Sequence, residues 1–222
     1  MIAQTNSMGL FYLLRHGETE WNAANRICGR SDVPLSEVGR RQAKRLAERL
    51  KPISFEALYS SPLQRAIETA RFISERIGLE PVVDDRLVEL DYGQWEGKTL
   101  AEIMKNDPKT LRAWEADPGR VAPPGGESGL EVQQRIVPFL DSLAAKHRKG
   151  QVAAVFHKTV CRLAICHVLG MPPSDYRRRL VMENAALSIV QSREDGWQLI
   201  TYNDTSHLSA SQGGHISLRE EF

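Results

Sequence analysis

The sequence predicts one three-layer α/β/α domain, a largely parallel sheet flanked by helices, and three observations predict it. Short apolar runs alternate with amphipathic stretches along nearly all of the 222 residues, the pattern of successive βαβ units. Several of these runs stop abruptly at polar residues able to do chemistry, as strands do where an open α/β sheet meets its ligand. No repeat, low-complexity block or clean linker separates two halves, so a single core is expected over about residues 10–208, with flexible ends at 1–8 and 209–222.

Composition narrows the partners. Hydrophobic residues at 41% and charged residues at 26% are those of an ordinary globular chain. A formal net charge of +1 supplies no broad field for nucleic acid or an anionic membrane, although a compact anion in a local pocket stays open. No apolar run approaches the ~20 residues that span a bilayer. Met1 to Gly9 has neither a charged n-region nor an apolar h-region, which reads against a secretory signal, and Met8-Gly9 offers an alternative start. The three cysteines, Cys28, Cys161 and Cys166, match no zinc spacing and are too sparse for a disulfide framework, so a cytoplasmic location is expected.

Taken in order, Leu10 to Leu14 reads as a buried strand. Residues 17–34 read as a long polar loop ending at Pro34. Ser36 caps a helix to about Leu50, with Val38, Ala43, Leu46, Ala47 and Leu50 as its apolar stripe. Phe55 to Tyr59 is a second strand; Ser60-Ser61-Pro62 then signals a helix with Pro early in it, stopped near Ile77 by Gly78. Pro81 to Val83 is a third strand. Residues 99–116 hold short helices broken at Asp107-Pro108, and the Pro/Gly-rich stretch Asp117 to Ser128 is a loop. A long helix from Gly129 to His147 contains Pro138, where a bend is expected. Val152 to Phe156 is a fourth strand, Lys158 to Leu169 a helix, and Pro172-Pro173 opens another short one. Ala186 to Gln191 and Trp197 to Tyr202 pair across Glu194-Asp195-Gly196, and the tail from Asn203 reads as loosely ordered.

The strand ends carry the signal. The first delivers Arg15-His16-Gly17, the second Ser60-Ser61 with Arg65 in the next helical turn, the third is followed by Glu89, and the fourth delivers His157-Lys158. A lone Arg-His pair is an ordinary surface feature. Two arginines, two histidines and a glutamate on one sheet edge form a cradle for an oxyanion. Helix N-termini there would add free N–H groups suited to phosphate. A phosphate monoester carries between one and two negative charges at neutral pH, which Arg15 and Arg65 could neutralise. The neighbouring cation favours neutral His16, the attacking form. Gly17 would let the backbone turn, and Glu89 could protonate the leaving oxygen and later activate water.

These residues also resemble a known family. Leu14-Arg15-His16-Gly17-Glu18-Thr19-Glu20-Trp21-Asn22 is similar to the signature of the histidine phosphatase superfamily, phosphoglycerate-mutase-like branch. So are Ser60 to Ala66, Glu89 to Gly97, Gly125-Gly126-Glu127-Ser128 and Asn203 to Leu208, and the likeness spans roughly residues 10–208. The resemblance implies His16 as the phosphorylated nucleophile, Glu89 as proton donor, Arg15, Arg65 and His157 as the phosphate pocket, and Asn22 as a further hydrogen bond. It departs at Lys158-Thr159, where the family usually has Gly after the second His, and at Cys28-Gly29, where phosphatases often carry Gln and mutases Thr. Cys28, Gly29 and Lys158 are therefore candidate substrate contacts, with Lys158 either on the anion or in solvent and Cys28 either reactive or passive. Neither metal nor cofactor is implied; a small phosphorylated metabolite is the expected partner, and a homodimer is compatible.

The remaining residues have plainer readings. Trp95, Trp114 and Trp197 read as packing, Trp21 and Glu18 as ordering the signature loop. His147 complements a helix dipole, His167 packs, His207 belongs to the family-like tail and His215 is solvated. Asn184 either approaches the pocket or forms a turn, and Arg177-Arg178-Arg179 either faces solvent or meets an acidic substrate. Hydrolysis of small monoesters is the first expectation, given the phosphatase-like run Tyr92 to Gly97 and the short segment from there to Gly125. A cofactor-dependent phosphoglycerate mutase using the same phosphohistidine is the alternative, and a non-catalytic phosphate-binding protein the third.

Overall fold

Side-chain alternation along the strands decides the layers. A computed structural model describes residues 8–209; residues 1–7 and 210–222, with the expected flexible ends and His215, lie outside the described residues. In β1 (Leu10–Arg15), Phe11 and Leu13 join one core cluster while Tyr12 and Leu14 join another, as a period of two requires. Both faces are therefore buried, and each fully buried Leu or Phe stabilises the fold by ~1.5–3 kcal/mol. The helices α2 (Glu37–Leu50) and α3 (Gln64–Ile77) cover the Tyr12/Leu14 face. The helices α6 (Gly129–Lys146) and α7 (Lys158–Val168) cover the other.

The other strands are β2 (Ala57–Ser60), β3 (Pro81–Val83), β4 (Gln151–Phe156), β5 (Leu187–Arg193) and β6 (Gly196–Asp204). They lie in the order β3-β2-β4-β1-β5-β6. The first four run parallel, and β5 and β6 extend the sheet antiparallel. Register is what matters for chemistry: Arg15 pairs with Phe156, and Ser60 with Val155. The residues that follow, His16, His157 and Ser61, thus leave the sheet side by side on one edge.

Short helices build a wall beside that edge. They are α1 (Glu20–Ala23), α4 (Leu100–Asn106), α5 (Pro108–Ala116) and α8 (Tyr176–Arg179). Asp107 ends α4 and caps α5 through the Thr110 amide, with Pro108 opening α5, so one residue makes the expected break. Trp95, Ile103, Leu111 and Trp114 pack beneath this wall. Among the described residues no helix is long and apolar enough to cross a membrane.

Several expectations are corrected. The loop 17–34 contains α1, closed by a reciprocal cap between Thr19 and Asn22. Val38 is 41% exposed, and Gly39 takes its place in the buried stripe. Pro62 precedes α3 instead of lying in it, because Leu63 is the cap. α6 continues through Pro138 as one helix. Asn203 and Asp204 complete β6, and the Leu208 carbonyl accepts from Arg45 on α2, so the described part of the tail is folded against the body.

Candidate active site

His16 is the first residue beyond β1, and its position follows from backbone bonding on both sides. Its amide donates to the Phe156 carbonyl at 3.1 Å, and its carbonyl accepts from Ala185 at 3.0 Å. The ring is nearly enclosed, 3% exposed. Nδ1 lies 2.6 Å from the Gly17 carbonyl, which can only accept. Nδ1 therefore carries the proton, and Nε2 keeps its lone pair. That lone pair faces Arg65 Nε at 3.3 Å. Burial first, then the charges of Arg65 and Arg15, hold the imidazole well below its ordinary value near 6.5. His16 is neutral and aimed, the form a nucleophile needs.

Gly17 serves a different purpose from the expected turn. A Cβ there would lie 2.4 Å from the Gly39 carbonyl, so it lets the signature loop press onto α2. Glu18 extends that contact by accepting from Ser36 Oγ at 3.0 Å, and Trp21 packs against Gly97, both as the loop-ordering reading requires.

Arg65, in the first turn of α3, is fully buried. It donates to the carbonyls of Gly29 at 2.6 Å and Ser31 at 2.8 Å. Both acceptors are neutral, and among the described residues Arg65 forms no ion pair, so its charge stays available to an anion. Gly29 holds φ +53, and a Cβ there would collide with Glu96, which binds the same loop. The Glu96 carboxylate accepts from the amides of Arg30 and Ser31 at 2.7 and 2.8 Å, fixing the two carbonyls that fix Arg65. Arg15, also buried, donates to the Met182 carbonyl.

Glu89 enters from the stretch after β3. Its Oε1 accepts from the Leu90 amide at 2.8 Å and its Oε2 from the Thr159 amide at 3.2 Å. The first turn of α7 thus spends an amide on Glu89, and α3 spends that of Gln64 on Asp32 at 2.6 Å. One first-turn amide of each helix is thus used within the protein and not offered to phosphate. Arg135, on α6, holds the Glu89 stretch from behind. It donates to the carbonyls of Arg86, Val88 and Glu89 at 2.8, 2.7 and 3.1 Å, and pairs with Glu127 at 3.1 Å. Burial raises the Glu127 carboxyl, but Arg135, the Asp91 amide and Arg30 outweigh it and hold it below the ordinary carboxylate range.

His157 stands behind His16, ring centroids 5.0 Å apart, fully buried and outside the lining of the cleft. Its Nε2 lies 2.8 Å from Ser61 Oγ, while Nδ1 makes no hydrogen bond. Burial, then Arg65, His16, Arg135 and Arg15, push its ring well below the ordinary range.

The cleft has a volume of about 1040 Å³ and is lined by Arg15, His16, Arg65 and Glu89 together with Asn22, Cys28, Gly29 and Lys158. Asn184 also lines it, its Oδ1 buried and without a hydrogen-bond partner. Cys28 Sγ sits 3.5 Å from both Thr19 Oγ1 and Asn22 Nδ2, and burial pushes the thiol up despite Thr19, Arg65 and Arg15. A thiol held up in this way is disfavoured as a thiolate. Sequence reasoning missed Arg162, Thr159 and Tyr92 on this wall. Arg162 follows Lys158 by four residues on one helix, so a face count from Lys158 would have found it. Nothing local marks Arg135.

The sequence model of the histidine phosphatase superfamily (branch 1) matches residues 11–205. The chain is 36% identical to phosphoserine phosphatase 1 of Hydrogenobacter thermophilus, over 88% of this chain and 92% of that protein. It is also 36% identical to a probable phosphoglycerate mutase, GpmB, of Proteus mirabilis, over 89% and 94%. The solved mycobacterial glucosyl-3-phosphoglycerate phosphatase complexed with VO3 superposes with a TM-score of 0.81 at 34% identity, over 88% of this chain and 99% of that one.

Proposed function

The chain belongs to the histidine phosphatase superfamily (branch 1) and is a phosphoric monoester hydrolase, and on that premise we propose that His16 is the nucleophile and Glu89 the general acid and base. The observation that carries the assignment is the His16 ring, neutral, with Nδ1 donating to Gly17 and Nε2 turned toward Arg65. Arg15 and Arg65 hold the phosphoryl oxygens of the substrate, and Asn22, at the mouth, contributes a hydrogen bond. Nε2 attacks phosphorus in line, and the bond to the ester oxygen breaks on the opposite side. Glu89, protonated, gives its proton to that oxygen, and the alcohol departs. The ring then carries phosphate on Nε2 and a proton on Nδ1, and the Gly17 carbonyl stabilises the positive charge so created. In the second step the Glu89 carboxylate takes a proton from water. Hydroxide displaces Nε2, and phosphate and neutral His16 are regenerated. Two arginines supply the electrostatic help that so slow a reaction demands. His157 supports the ring of His16 from behind, itself anchored on Ser61. The substrate is a small phosphorylated metabolite, and the relatives make phosphoserine and phosphoglycerate-type esters the first to try. The three buried, unpaired cysteines support a reducing, cytoplasmic location.

The mutase alternative uses the same residues. Release of inorganic phosphate from a panel of monoesters, set against conversion of 3-phosphoglycerate in the presence of 2,3-bisphosphoglycerate, separates them. Phosphate release should dominate; rapid 2-phosphoglycerate formation with little free phosphate would reverse the assignment.

A further inference from the structure

The run Arg177-Arg178-Arg179 splits at α8. Arg178 and Arg179 both close on Asp175, at 2.5 and 2.8 Å. Arg177 turns the other way, onto the cleft wall, where its guanidinium carbon lies 4.0 Å from the centroid of the Trp114 ring. Among the described residues it forms no ion pair and donates to no acceptor. Trp114 is itself locked edge-on by Trp95 at 5.3 Å and Tyr92 at 6.1 Å. The ring holds the guanidinium over its face without a counter-ion, and the N–H donors of the group are left to a ligand.

Its place in the cleft says which part of a ligand it meets. Tyr92, in contact with Trp114, bonds through its phenol to Thr159 Oγ1 at 3.0 Å, and the Thr159 amide donates to Glu89. The proton donor faces the leaving oxygen, so Tyr92, Trp114 and Arg177 flank the leaving group. Lys158 and Arg162 add positive charge to the cleft lining, and Glu115, next to Trp114 on α5, and Glu183 add negative charge.

We infer that Arg177 is a specificity-determining residue, a subsite cation that binds a carboxylate on the leaving group of the phosphomonoester. The inference rests on the phosphatase reading, which fixes the side on which the alcohol departs. A carboxylate matches the two-pronged edge of the guanidinium better than a hydroxyl or an ammonium does.

Matched esters test it: O-phosphoserine against phosphoethanolamine, and phosphoglycolate against methyl phosphate, each pair differing by one carboxylate. The wild type should favour the carboxylated member by about 10- to 100-fold in kcat/KM, the worth of a charge-assisted bond. Arg177→Met should remove that preference through KM of the carboxylated member, and Arg177→Lys should keep part of it, both with unchanged far-ultraviolet circular dichroism. A wild type without preference, or a Met variant that slows both members of a pair alike, overturns the subsite while the phosphatase reading stands. A wild type inert on all four esters and on a wider monoester panel brings down the phosphatase reading and the subsite together.

Discussion

His16 sits one residue beyond a strand hydrogen-bonded on both sides, by β4 and by β5. Glu89 sits on a stretch, residues 88–92, with neither helix nor strand. The proposed nucleophile is placed by sheet register, which moves only if the fold moves. The proposed acid has its carboxylate on the Leu90 and Thr159 amides, and its stretch of backbone is held by Arg135, which reaches three carbonyls some 46 to 49 residues away in sequence. The two halves of the chemistry therefore have separate mechanical supports, and each can be damaged alone.

The largest break is His16→Ala. Removing the attacking nitrogen should lower turnover by at least about 10⁴-fold for every ester, activated or not, with folding intact by thermal melting. Glu89→Gln comes next. In the phosphorylation step it should cost about 10²- to 10⁴-fold on alkyl phosphates and far less on p-nitrophenyl phosphate, whose leaving group needs no proton. Hydrolysis of the phosphoenzyme, which needs Glu89 as base, slows alike for both. Arg135→Met sharpens the comparison, because it should reproduce the Glu89 pattern in weaker form, roughly 10-fold on alkyl esters. An equal loss on both ester types in the phosphorylation step would mean that Arg135 supports the fold and not the acid. The smallest effect is on stability. His16 and His157 both have folded-state values held well below 6.5, by burial first and nearby arginines second. The unfolded chain thus binds more protons at mildly acid pH. Stability should be full above about 6.5 and fall as pH drops below it. Urea titrations at pH 7.5 and 5.5 measure this, and His16→Ala should flatten the slope.

The two supports also differ in how far a sequence discloses them. Arg15, His16 and His157 could be read because each follows an apolar run directly, and strands of a parallel sheet end on one edge. Arg65 could be read because a helix start follows β2. The alternation of β1 and the caps at Ser36 and Gly78 are likewise local and were legible. Arg135 was not, since its partners lie a layer away and only the packing of α6 brings them near. The same holds for Glu96, whose carboxylate fixes Arg65 through the carbonyls of a distant loop, and for Arg177, which the pattern could not distinguish from its two neighbours. Val38 misled because an apolar residue in the first turn of a helix can sit outside the stripe when a glycine must face inward to admit another backbone.

The most direct test is rapid quenching of the wild-type enzyme with a monoester carrying ³²P in its phosphoryl group, followed by peptide mapping. An acid-labile, alkali-stable label on the peptide containing His16, formed faster than turnover and lost as phosphate is released, is the expected result. Label on another residue, or steady hydrolysis with no phosphoenzyme at any time, would contradict a reaction that runs through the His16 ring.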